Sequence, residues 1–214
     1  MQYDENAFDD EIYDLCDDLS TIKVTNFVVE SIEAKYAREF TKKHHYSKTC
    51  PNGIVNFGLF YNGNLIGAAV FGQVIGRFQA QKYYPQNPDK LIELRRLCCI
   101  DKTKRNTESF FLGKCFKLLK KTEYEAILSL ADTNYGHEGT IYKATNFTLL
   151  GQTEKDGHPR VFIDDVERHP RDLYDKHGSS SIPLLKSVYG DRIQFRDKKP
   201  KNIYILYLKK QKLV

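Results

Sequence analysis

The sequence predicts an α/β protein, a single domain in which a mixed central sheet is flanked by helices. Three observations carry that expectation. Apolar runs of strand length alternate with amphipathic stretches of helix length. Two of those runs are joined by Tyr61, Asn62, Gly63 and Asn64, a tight-turn signature. A third, LSLAD (128–132), stops on Asp132, where polar and glycine residues take over.

The elements follow in chain order. TIKVTNFVV (21–29) reads as a strand, and SIEAKYAREFTKKHHY (31–46) as a helix with Ser31 as its N-cap. VNFGLFYNGNLIGAAVFG (55–72) is a hairpin, because Asn and Gly accept the positive φ of its turn. QAQKYYPQNPDK (79–90) reads as a long loop on its Pro and Gln content. LIELRRLCCI (91–100) is a strand, TESFFLGKCFKLLKK (107–121) a helix capped by Thr107 or Ser109, and EAILSLAD (125–132) a strand. A helix after Gly139 and strands near FTLLGQT (147–153), RVFID (160–164) and NIYILYL (202–208) complete the order.

Composition narrows the class. With 41% hydrophobic and 13% aromatic residues, the 214-residue chain can bury one sizeable core. No apolar run approaches the roughly 20 residues of a membrane span, and the N-terminus is acidic where a signal peptide is basic. A soluble, intracellular protein is expected. Cys16, Cys50, Cys98, Cys99 and Cys115 form no CxxC pair and read as buried free thiols, which suits a reducing cytoplasm.

Charge is unevenly spread. The net charge is +5, yet residues 1–20 hold eight acids and no Lys or Arg, which leaves +13 for the remainder. This divides the chain into an acidic extension (1–20) and a body (21–214) ending in a basic segment (168–214). From Arg168 onward there are twelve Lys or Arg against four Asp, interleaved with aromatics. Such a stripe either attracts a phosphate backbone or is a solvated surface. In the extension, Ile12, Leu15, Cys16 and Leu19 recur at helical spacing. It reads as a docked amphipathic helix, a frayed tail or a flap over the basic surface.

Three groups of residues have the chemistry of a site. Asp132 closes a core strand, where α/β sheets place ligands, although an Asp there also caps a following helix. Tyr135 and His137 follow in the loop, and Tyr142 lies in the first turns of the next helix. His44, His45 and Tyr46 end the first helix, where His also serves the helix dipole. In ELRRLCCIDKTKRNTES (93–109), Arg96 breaks the strand alternation. It needs either a cleft or a carboxylate such as Glu93 or Asp132.

Four stretches together resemble the Mom family, phage DNA-modification proteins with a GNAT-like fold: HHYSKTCPNGIVNFGLFYNGNLIGAAVFG, LIELRRLCCIDKTKRNTESFFLGKCFKLLK, LSLADTNYGHEGTIYKATNFTLLGQT and HPRDLYDKHGSSSIPLLKSVYG. They span about residues 44 to 190. The resemblance implies a double-stranded DNA substrate and replacement of an adenine N6 hydrogen by a carbamoylmethyl group. That modification shields phage DNA from restriction in the cytoplasm of the host bacterium. It also implies His45, Tyr46, Arg96, Ser109, Asp132 and Tyr142 as catalytic positions. Iron (Fe2+) is associated with the family, and His45, Tyr46 and Asp132 would be its ligands. An enzyme that reaches N6 extrudes the base. Tyr46, Asn134 and Tyr135 are then candidates for contacts to the base, and Arg168, Arg171, Lys176 and His177 for contacts to phosphates.

One departure stands out. A typical GNAT enzyme cradles the acyl-CoA pyrophosphate on a glycine run before the helix. This chain has Arg105, Asn106, Thr107, Glu108 and Ser109 there, which argues against acyl-CoA in the usual mode. The competing readings are an acetyltransferase acting on a protein or small amine, and an inactive DNA-binding module. The sequence leaves the oligomeric state open, with a dimer among the options.

Overall fold

Asn62 and Gly63 carry the positive φ values, 49° and 83°, that a two-residue hairpin turn needs. They join β2 (Val55–Tyr61) to β3 (Asn64–Gln73). This is a computed structural model, which describes residues 19–154 and 159–209. The N-terminal reading therefore lies largely outside the described residues.

Around the hairpin stand β1 (Val28–Ser31), β4 (Leu91–Cys99), β5 (Ala126–Ala131), β6 (Thr148–Gln152) and β10 (Asn202–Tyr207). They form a seven-stranded sheet in the order β1-β2-β3-β4-β5-β10-β6. Neighbours from β1 to β4 are antiparallel, and β4 with β5 is parallel. The sheet is mixed, as expected. In β4, Val70 faces Arg96 while Phe71 faces Leu94, so Arg95 is the extra residue of a bulge.

Helix periodicity explains what covers this sheet. α1 (Ala34–His44) buries Ala37, Phe40 and Thr41, and α3 (Thr107–Leu119) buries Thr107, Phe111, Leu112, Cys115, Phe116 and Leu119. Spacings of three and four put each set on one face. These residues join Phe57, Leu59, Ile66, Val70, Phe71 and Ile92 in the main core. Burial pushes the Cys98 thiol up to about 12 and those of Cys99 and Cys115 well above the usual range. These three are inert thiols, whereas Cys16 lies outside the described residues.

The chain divides into two compact units. The first comprises Met1–Ala131, Gly139–Leu150 and Ile203–Val214, and the second Asp132–Glu138 and Gly151–Asn202. The second has its own antiparallel sheet of β7 (Arg160–Ile163), β8 (Val166–Arg168) and β9 (Ile193–Arg196), in the order β8-β7-β9. With α5 (Pro170–His177) and α6 (Ile182–Tyr189), these strands enclose Val161, Ile163, Leu173, Leu185 and Ile193. No helix among the described residues is long and apolar enough to cross a membrane.

Several local expectations are corrected. The first strand does not begin at Thr21: Val24–Asn26 forms a 3-10 turn, and pairing starts at Val28. Ser31 is not a cap, since it pairs with Phe57 as the last residue of β1, and Glu33 precedes the helix. The long loop contains α2 (Arg77–Tyr83) and a 3-10 turn at Pro88–Lys90. Neither Thr107 nor Ser109 caps α3. Asn106 takes that position at φ 75°, with no side-chain cap.

Candidate functional site

In the first unit, the candidate site centres on the end of the β4–β5 pairing. The register stops at Leu94 and Ser129, although β4 continues to Cys99 and β5 to Ala131. Ser129 is fully buried, and its hydroxyl donates to the Leu94 carbonyl at 3.2 Å. The Tyr142 phenol lies beside that hydroxyl.

Tyr142 is brought there by α4 (Thr140–Ala144), which starts at Gly139 with φ 81°. A Cβ at Gly139 would lie 2.4 Å from the Tyr204 ring, so only glycine allows both the turn and the ring. The Tyr142 ring packs on Tyr204 at 5.0 Å between centroids and meets Phe147 edge-on at 5.3 Å. Burial raises the Tyr142 phenol above its ordinary range, and the Glu108 charge adds to the rise. Tyr142 is therefore a neutral donor at neutral pH, not a base.

His45, Tyr46 and Arg96 belong to the same unit. His45 is buried at the C-terminal end of α1, and its ring stacks on half-exposed Tyr46 at 4.2 Å. Its Nδ1 accepts the Ser47 backbone N–H at 3.1 Å and lies 2.9 Å from Ser47 Oγ. An amide can only donate, so the proton of neutral His45 resides on Nε2. His45 thus offers a donor where a base or metal ligand would need a lone pair.

Arg96 has no carboxylate partner among the described residues. Its Nε donates to the Thr49 carbonyl at 2.9 Å, Nη2 to Thr49 Oγ1 at 3.0 Å and Nη1 to the Arg95 carbonyl at 2.6 Å. Pairing with Glu93 or Asp132 is therefore not observed. Arg96 instead fastens the loop after His45 to β4, leaving its charge uncancelled. Ser109 Oγ donates to the Asn106 carbonyl at 2.9 Å and so tightens the first turn of α3.

The second unit contains Asp132, the first residue after β5. Its Oδ1 accepts the backbone and side-chain N–H groups of Asn134 at 3.1 and 2.8 Å, and Oδ2 faces Lys201 Nζ at 2.8 Å. Burial pushes this carboxyl up, but the bonds from Lys201 and Asn134 outweigh it and hold Asp132 below the usual range. Asp132 is anionic at neutral pH, with both oxygens engaged.

Asn134 also donates to the Lys199 carbonyl at 3.3 Å and accepts the Lys199 N–H at 2.9 Å. Its amide is spent on internal bonds. Tyr135 donates to Glu167 at 2.6 Å, and the Arg160 guanidinium lies 5.0 Å from its ring centroid. Arg168 and Arg171 are exposed. Lys176 Nζ lies 3.4 Å and His177 Nε2 2.7 Å from the Tyr189 hydroxyl. The basic reading of this segment needs a correction of its own. The second unit holds eleven basic and eleven acidic residues, and Arg160–Glu167, Arg192–Asp164, Arg196–Asp165 and Lys201–Asp132 are paired.

The iron ligand set does not fit these residues. No three His, Cys, Asp or Glu side chains among the described residues converge as a metal site. His45 Nδ1 and both Asp132 oxygens are already engaged. Acyl-CoA fits no better in the usual mode. Glu108 stands exposed in the first turn of α3, where its charge opposes an approaching pyrophosphate.

Ser129 and Glu108 were not assigned to the site from sequence. A Ser inside an apolar strand, three residues before Asp132, was the available signal for Ser129.

With this geometry established, known proteins can be compared. A family model described as the Mom protein family matches residues 26–213. The methylcarbamoylase of Escherichia phage Mu is 27% identical over 130 residues, which cover 59% of this chain and 54% of that protein. The match thus spans about half the length of that relative. Among solved structures, an Escherichia coli N-acetyltransferase acting on a ribosomal-protein alanine aligns with a TM-score of 0.52 at 11% identity. A Salmonella typhimurium acetyltransferase solved with acetyl-CoA aligns with a TM-score of 0.51 at 8% identity. Both alignments cover 87% of this chain and 96% of the other. An acetyltransferase of the GNAT family from Desulfovibrio desulfuricans gives a TM-score of 0.51 at 9% identity, covering 86% and 99%. At these identities the likeness shows the fold alone, which is that of GNAT acetyltransferases.

Proposed function

Because the chain belongs to the Mom protein family, we propose that it is a transferase that modifies phage DNA in the cytoplasm of the infected bacterium. Its substrate is adenine in double-stranded DNA, and its product carries a carbamoylmethyl group on N6. The match over residues 26–213 is the observation that carries this reading. In the reaction, N6 forms a bond to the carbamoylmethyl carbon as the bond from that carbon to its donor breaks. One N6 proton leaves to a base.

The residues divide these tasks by protonation state. Asp132 is held as an anion by Lys201 and Asn134, and Oδ2, with a single bond from Lys201, keeps a lone pair that can accept a proton. Tyr142, held neutral by burial, can only donate a hydrogen bond. Arg96 contributes a positive charge fixed by three hydrogen bonds. Tyr46, half-exposed beside His45, offers an aromatic face for an extruded base. Modification of N6 removes a donor that restriction enzymes read in the major groove, and this accounts for protection.

A second reading, acetyl transfer to a protein or small amine, draws on the shared sheet. The Glu108 turn opposes it, because that reading requires acetyl-CoA.

Restriction endonucleases whose sites contain adenine provide the test. Plasmid DNA from cells expressing the chain is expected to resist cleavage, and DNA from cells expressing Asp132→Asn to be cut. Complete cleavage of both, with folded protein present, contradicts the proposal.

A further inference from the structure

Clustered cations mark where a phosphate backbone can lie, and one such cluster stands outside the C-terminal segment. Between residues 102 and 121 stand Lys102, Lys104, Arg105, Lys114, Lys117, Lys120 and Lys121, against the single acid Glu108. None of the last six of those cations forms an ion pair among the described residues. In the second unit, by comparison, Arg160, Arg192 and Arg196 are tied to carboxylates.

Helix geometry aligns these charges. The apolar face of α3 is buried in the core, which leaves Lys114 and Lys117 outward, and exposed Lys121 follows in the turn just past the helix end. All three line one groove with Phe27, Val28, Val29 and Leu118, beside the edge strand β1. At about 1.5 Å rise per residue, the ridge from Lys114 to Lys121 is roughly 10 Å long. One strand of a duplex presents a phosphate every 3.4 Å or so of axis, so the ridge matches about three phosphates. Charges converging on a concave site also reinforce one another's field. The apolar floor, with Val28 half-exposed, suits the sugar faces between phosphates.

We propose that the Lys114–Lys117–Lys121 ridge forms the surface that holds the DNA backbone. Arg171 and Lys176 then add little to backbone binding. This inference rests on the DNA-modification reading above and adds to it the face that carries the duplex.

The test measures binding of the full chain to a labelled duplex over a series of salt concentrations. Replacing Lys114, Lys117 and Lys121 together with Ala is expected to reduce the slope of log K against log salt by about 3. Binding at low salt should fall tenfold or more. Replacing the same three with Arg keeps the slope, and Arg171→Ala with Lys176→Ala changes it by less than about 1. An unchanged slope in the Lys-to-Ala triple variant overturns the inference, as does a large loss in the Arg171/Lys176 variant. Nucleoside analysis of the same proteins separates the two levels. A wild-type chain that modifies DNA, beside a triple variant with unchanged slope, sinks only the surface. A wild-type chain that neither binds nor modifies duplex DNA overturns the function as well.

Discussion

Asp132 and Lys201 are 69 residues apart in sequence yet form the ion pair that fixes the carboxylate's state. Folding lowers the Asp132 pKa. The pair therefore stabilises the protein above the unfolded value of about 4, and that contribution is lost as pH falls through the lowered native value. Lys201→Met removes the counter-ion and leaves burial to push the carboxyl up. The variant is expected to be less stable than wild type in urea at pH 7, and the difference to shrink as pH falls through the lowered native value, below which Asp132 is protonated in both. A difference independent of pH would show that the pair does not govern this carboxylate. At this scale the sequence was informative about residue type and silent about partners. Asp132 was visible because a charged residue interrupts an apolar strand. Lys201 was not, because nothing local links it to Asp132. Arg96 was recognised as anomalous, but its partner is a loop carbonyl and a Thr hydroxyl that no charge pattern announces.

Elements whose signal is local and strong were read well. The Asn62–Gly63 hairpin, the buried β5 and the apolar face of α3 all follow from turn chemistry or periodicity. α2 was missed because it is seven residues long and precedes Pro85 and Pro88, so its composition resembles a loop. β7, β8 and β9 run four, three and four residues, too short for alternation to emerge above noise, and β8 and β9 went unread. α4 depends on glycine at its start. Gly139→Ala would force a Cβ into the Tyr204 ring at positive φ, whereas Gly136→Ala meets only the positive φ, with open space around it. Urea unfolding should show Gly139→Ala destabilised by about 3 kcal/mol and Gly136→Ala by about 1 kcal/mol. Equal losses would mean that the Tyr204 contact does not constrain α4.

At the scale of the whole molecule, overall charge was a better guide than the position of a basic stretch. The sequence count made the last quarter look like the nucleic-acid surface. The structure ties three of its twelve basic residues, Arg192, Arg196 and Lys201, to Asp164, Asp165 and Asp132. These partners lie upstream of the counted segment, which is why the count overstated it. The seven-stranded mixed sheet is the scaffold of GNAT acetyltransferases, the chain belongs to the Mom protein family over residues 26–213, and the proposal is that this scaffold acts on DNA. The most direct measurement of that claim is nucleoside mass spectrometry of plasmid DNA from cells expressing the chain, beside an Asp132→Ala control. The account predicts a deoxyadenosine heavier by one carbamoylmethyl group, absent from the control. Unmodified deoxyadenosine from cells containing folded wild-type protein would contradict it.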